Sequence, residues 1–149
     1  MKILLVEDEV HKRDEVLACV RSVLGVEPDI SDSVSSAVLK VIDEQYDLIL
    51  LDMALATYGE AAEDNLKGHD QAQGGIEVLR ALKMAGRKSD IVIITQYPDF
   101  SIGGVKVKLK DSKDLILSRY GQVVVGTVLY HYKTPSTIDK LASILKRVK

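Results

Sequence analysis

Apolar runs of strand length alternate along this chain with stretches of helical period. Residues 2–6 form a short apolar run that predicts a first strand. Val16, Leu17, Val20, Val23 and Leu24 then fall on one stripe of a helix over about Val10–Leu24, closed by Gly25. A brief second strand near residues 28–31 leads into a second helix. Ser33 is its candidate cap, and Val34, Ala37, Val38, Val41 and Ile42 make its apolar face. Leu48–Leu51 is apolar at every position, the pattern of a central parallel strand covered on both sides. Ile76, Val78, Leu79 and Leu82 predict a third helix ended near Gly86, and residues 91–94 a fourth buried strand. Residues 111–120 suggest a fourth helix, 123–132 a fifth strand, and 136–148 a fifth helix with Ile138, Leu141, Ile144 and Leu145 inward. Two stretches break the rhythm. Residues 56–75 are rich in Gly, Glu, Asp and Gln and exceed a usual strand-to-helix connection; residues 98–107 fit no element.

Five strands alternating with five helices predict an α/β fold: a doubly wound, five-stranded parallel sheet of flavodoxin-like form, order 2-1-3-4-5, with helices on both faces. The 149 residues, 46% hydrophobic and 28% charged, amount to one domain, expected to span 1–149. No apolar run is long enough to cross a membrane, and the first one meets Glu7-Asp8-Glu9 too soon for a signal peptide. The single cysteine, Cys19, excludes an internal disulfide framework, suits a reducing cytoplasm, and reads as a small buried hydrophobe. Three dispersed histidines add no recognisable zinc site.

Charge changes the picture only locally. The net charge is −2, yet residues 1–75 carry 16 acidic and 6 basic side chains, and 76–149 carry 6 and 14. The basic residues are interleaved with apolar ones, so a solvated face is favoured over DNA binding. Lys106, Lys108, Lys110 and Lys113 alternate with Val105, Val107 and Leu109, the look of an exposed edge strand guarded by lysine. In the long loop, Glu60, Glu63, Asp64, His69 and Asp70 lack the spacing of a second metal site.

The chemistry gathers where ligands of such sheets sit, beyond the carboxyl ends of the strands. The first strand delivers Glu7-Asp8, the third Asp52, the fourth Thr95 and the fifth Lys133. Converging carboxylates repel one another, and a hard cation such as Mg²⁺ resolves this through oxygen coordination. A lysine and a hydroxyl beside them can orient the oxygens of a phosphoryl group. The chemistry implied is in-line phosphoryl transfer to a carboxylate, Asp52.

These stretches, Lys2-Ile3-Leu4-Leu5-Val6-Glu7-Asp8-Glu9, Asp47-Leu48-Ile49-Leu50-Leu51-Asp52-Met53 and Ile91-Val92-Ile93-Ile94-Thr95, resemble the receiver (response-regulator) domain of two-component signalling. The resemblance covers most of the chain, densest up to Thr95. It implies that Asp52 is the phosphoacceptor and that Asp8 holds Mg²⁺ directly, with Glu7 acting through water. The backbone carbonyl of Ala54 would be a third ligand. Thr95 would bind a phosphoryl oxygen and move on activation, and Tyr130, three positions before Lys133, would change rotamer with it. The implied phosphodonor is a histidine kinase or histidine phosphotransfer protein, and, with no output domain expected after Lys149, the signal would leave through a downstream effector protein.

Departures from the family pattern accompany it. Receivers usually read Lys-Pro, with a cis bond, where this chain reads Lys133-Thr134-Pro135. Gln96 replaces the usual small residue after Thr95. The spacings of 43 positions from Asp52 to Thr95 and 38 from Thr95 to Lys133 imply insertions at about 56–75 and 98–110. The second insertion modifies the family's usual output face. These departures keep open an alternative, a receiver-derived binding module independent of phosphorylation. A haloacid-dehalogenase-type phosphatase is disfavoured, because Ala54 stands where that chemistry needs a second aspartate.

Overall fold

The computed structural model describes residues 1–54 and 74–149. In chain order the described elements are β1 (Ile3–Val6), α1 (Val10–Leu24), β2 (Asp29–Ser31), α2 (Val34–Asp43), β3 (Leu48–Leu51), α3 (Gly74–Met84), β4 (Asp90–Thr95), β5 (Asp99–Ile102), β6 (Val105–Lys108), α4 (Ser112–Tyr120), β7 (Val123–Leu129) and α5 (Pro135–Val148). A 3₁₀ turn, Leu109–Asp111, leads into α4.

Five of the strands form one parallel sheet in the order β2-β1-β3-β4-β7, which is the expected doubly wound order with β7 as its fifth member. Period-two alternation sorts the side chains. Leu4, Val6, Ile49, Leu51, Ile91 and Ile93 face the core under α2, α3 and α4. Ile3, Leu5, Leu48, Leu50, Val92 and Ile94 face the other core, built with α1 and α5. That double burial explains why β1, β3 and most of β4 are apolar without interruption. In β7 the register slips at Val125, because Ile91 pairs with Val124 but Val92 pairs with Gly126. The bulge sends Val124 to the first core and Val128 to the second, although strict alternation would put both on one face.

Residues 98–107, unassigned from sequence, contain an antiparallel hairpin, β5–β6. Ile102 pairs with Val105, so the turn is Gly103-Gly104, with φ of 57° and 82°. Positive φ at both central residues is what a two-residue hairpin turn needs, and glycine supplies it without strain. Phe100, Ile102, Val107 and Leu109 join the core, while Lys106 and Lys108 stay exposed. Element ends also differ from expectation: α3 starts at Gly74 and β7 stops at Leu129. The rest of the expected loop at 56–75, with Glu60, Glu63, Asp64, His69 and Asp70, lies outside the described residues. Among the described residues, no helix is long and apolar enough to cross a membrane.

Candidate functional site

Parallel strands set side by side carry their last residues to one edge. Leu51 pairs with Val6 on one side and with Ile93 on the other, so Glu7, Asp52 and Ile94 are level neighbours. Glu7 is anchored by its N–H to the carbonyl of Ser31, and Asp52 by its N–H to that of Val6. Glu7, Asp8 and Asp52 each offer a carboxylate oxygen, and these oxygens lie within 4.8 Å of one another. Glu7 and Asp52 are buried, at 2% and 5% exposure; Asp8 is half-buried. Helix capping does not account for Glu7, because Glu9 is the N-cap of α1 and accepts from the N–H groups of His11 and Lys12.

The pocket also contains a cation that the sequence reading did not assign to it. Lys12, in the first turn of α1, is 1% exposed. Its Nζ lies 2.7 Å from Glu7 Oε1 and 3.3 Å from Asp52 Oδ2, and it donates to the Ile94 carbonyl at 2.7 Å. Asp52 Oδ1 accepts from the N–H of Ala54 at 3.0 Å, so the other oxygen is the one turned toward Lys12. Burial first, then repulsion from Asp52, push the Glu7 carboxyl up to about 8 against the pull of Lys12. The signal for Lys12 was present: it stands four residues before Val16 and eight before Val20, in phase with the apolar stripe of α1. A charge on a buried stripe calls for a buried partner.

The remaining candidates separate. Thr95 is buried at the end of β4, where its carbonyl accepts from the Tyr130 N–H and its hydroxyl oxygen accepts from the Tyr97 N–H. Gln96 and Tyr97 are both exposed. Tyr130 points inward at 2% exposure, with the Lys12 ammonium 5.7 Å from its ring centre and its hydroxyl donating to Glu15 on α1. Burial and that bond raise its phenol well above the ordinary tyrosine range. Lys133 is not brought to the carboxylates. It is exposed, has φ of 55°, and holds its ammonium 5.3 Å from the Tyr132 ring centre. The extra residue in Lys133-Thr134-Pro135 explains this: Thr134 takes the cap position of α5, Pro135 opens the helix, and the peptide bonds of the described residues are all trans. Cys19 is buried, and burial raises its thiol; His11 is exposed and meets the Tyr132 ring at a tilt of 49°.

Comparison with known proteins places this edge in context. No family model matches the chain. The Detocs response regulatory protein DtcB of Vibrio alginolyticus is 32% identical over 133 residues, spanning 87% of this chain and 89% of that protein. The chain belongs to the response-regulator family. Its fold is that of the receiver domain. The receiver of Thermotoga maritima CheB covers 99% of the chain and 94% of its own at a TM-score of 0.63 and 15% identity. A response regulator of Colwellia psychrerythraea covers 98% and 97% at a TM-score of 0.61 and 19% identity. The receiver of a sensor histidine kinase of Pseudomonas aeruginosa covers 98% and 94% at a TM-score of 0.59 and 22% identity. In this receiver, Glu7, Asp8 and Asp52 share the pocket with Lys12.

Proposed function

We propose that this receiver accepts a phosphoryl group on Asp52 and passes the resulting change to a protein partner. One observation carries the reading: a buried aspartate ends the central strand of a receiver fold inside a cluster of carboxylate oxygens within 4.8 Å of one another. A donor set made only of oxygen suits a hard divalent cation. Glu7, Asp8, Asp52 and the backbone carbonyl of Ala54 would hold Mg²⁺, which when bound supplies positive charge against the phosphoryl oxygens. Two solved structures of similar fold hold such groups: a Pseudomonas aeruginosa receiver with magnesium in its active-site cleft, and a Thermotoga maritima response regulator in complex with Mg²⁺ and a beryllium fluoride.

The chain's own groups then do the rest. A carboxylate oxygen of Asp52 attacks phosphorus, and the bond from phosphorus to the donor breaks in line with it. Thr95, whose hydroxyl oxygen accepts from the Tyr97 N–H, has its own hydroxyl proton to donate to a phosphoryl oxygen. Tyr130 can move only by giving up its bond to Glu15, so a rearrangement there would be felt on α1. The phosphodonor would be a histidine kinase or histidine phosphotransfer protein in the cytoplasm, and the recipient of the signal a downstream effector protein. Incubation with acetyl phosphate and Mg²⁺ should add one phosphoryl group to the chain, read by intact mass. Asp52→Asn should abolish the addition; addition at an unchanged rate in that variant refutes the reading.

Lys12 favours one alternative. Its ammonium already compensates Glu7 and Asp52, as a receiver-derived binding module without phosphorylation would need. On that alternative no donor labels the chain, and partner binding survives Asp52→Ala.

A further inference from the structure

The phosphoacceptor reading needs a cation beside Asp52, and the lysine expected from sequence is elsewhere. Lys133 is exposed, in a left-handed backbone conformation, with its ammonium against Tyr132. Lys12 meets the requirement from a different element. Its ammonium has three protons, and three acceptors surround it: Glu7 Oε1, the Ile94 carbonyl and Asp52 Oδ2. The first two belong to the ends of β1 and β4, which flank β3, and fix the nitrogen in place. The third is the longest contact, at 3.3 Å, and is made to the acceptor side chain itself.

We propose that Lys12 is the residue that binds the phosphoryl group at Asp52, in the role the sequence pattern gives to Lys133. The proposal rests on the phosphoacceptor reading above. Transfer from acetyl phosphate forms a bond between an Asp52 oxygen and phosphorus as the bond from phosphorus to the acetate oxygen breaks. Acetate leaves with the electron pair and no proton is required. The Asp52 carboxylate loses its own charge, the phosphoryl oxygens bring theirs with the transferred group, and acetate carries one negative charge away, so the side chain goes from one negative charge to about two. The Lys12 ammonium, paired with Oδ2 across 3.3 Å, donates to one of the phosphoryl oxygens, while its contacts to Glu7 and the Ile94 carbonyl are kept. The ammonium needs no journey through solvent, and a donor fixed before the reaction loses nothing to reorganisation. Because α1 also carries Glu15, the partner of Tyr130, any shift of Lys12 toward the phosphoryl group would reach Tyr130 through the same helix.

The test compares Lys12→Met and Lys133→Met with the parent in two measurements: the rate of labelling by acetyl phosphate with Mg²⁺, and Mg²⁺ affinity by calorimetry without a phosphodonor. Removal of a fixed donor to a developing charge costs about 10²–10³ in rate, so labelling of Lys12→Met should fall at least about tenfold. Its Mg²⁺ affinity should hold or tighten, because a competing cation has left the carboxylates. Lys133→Met, on the exposed surface, should be labelled at the parental rate. Loss of labelling in Lys133→Met overturns the proposal even if Lys12→Met fails to fold. So does parallel loss of Mg²⁺ affinity and labelling in Lys12→Met, the mark of a merely structural lysine. No labelling of the parent would instead refute the phosphoacceptor reading itself.

Discussion

Lys12 shows how one buried charge sets the energetics of its surroundings. Its ammonium compensates two carboxylates that are themselves 2% and 5% exposed. Breaking a buried pair by removing one partner leaves a charge without compensation and costs about 3–5 kcal/mol. Glu7 can neutralise itself by taking up a proton, since its carboxyl is already pushed up to about 8, which favours the lower end. Lys12→Met should therefore destabilise the divalent-free protein by about 3 kcal/mol in urea unfolding. Added MgCl₂ should recover part of the loss, because the ion then occupies the same carboxylates; no loss without Mg²⁺ would mean that the pocket is not held by charge. The clustering of Glu7, Asp8 and Asp52 was legible because they follow the apolar runs of β1 and β3. Lys12 was in phase with the stripe of α1, but phase alone does not reveal which partners wait at the bottom of it.

At the scale of elements, the connection from β3 to α3 depends on a close approach. A Cβ built on Gly75 would lie 2.7 Å from Met53 Cα and 3.0 Å from the Asp52 carbonyl oxygen, both backbone atoms that cannot step aside. The Gly75 N–H also bonds to the Met53 carbonyl, so α3 begins directly against the residue that follows Asp52. Gly75→Ala should cost about 1–3 kcal/mol, as overpacking does, and should also slow labelling of Asp52 by displacing the backbone that carries it. A variant of parental stability and labelling rate would show that the contact relaxes freely. The hairpin offers the opposite lesson. Gly103-Gly104 between apolar residues is a turn signal that the sequence contains plainly, and the strands on either side are only four residues long. Such short strands, one of them with alternating lysines, carry little periodic signal of their own. Burial of Phe100 and Ile102 under the sheet is what holds them. Lys133 failed to reach the site for a local reason: Pro135 begins α5, and the extra Thr134 turns the lysine outward.

For the whole molecule, one parallel sheet brings β1, β3 and β4 into register, so a ligand at its carboxyl edge would meet the ends of all three at once. Anything that binds there and not to the unfolded chain stabilises the entire fold. Beryllofluoride with Mg²⁺ at about a hundred times its dissociation constant should add about 2.7 kcal/mol, equal to a rise of about 5–10 °C in Tm for a chain of this size. Differential scanning calorimetry reads the shift, and Asp52→Asn should remove it; an equal shift in the variant would place the ligand elsewhere.

The sequence by itself determined the layered α/β fold and the three carboxylates at its edge, because strand-length apolar runs dictate both burial on two faces and the points at which β1 and β3 end. It did not determine which ammonium neutralises them. That choice belongs to tertiary structure: a lysine near in sequence to a strand end can be turned to solvent by one inserted residue, and a lysine on a helix can be drawn to the same carboxylates by packing across the sheet.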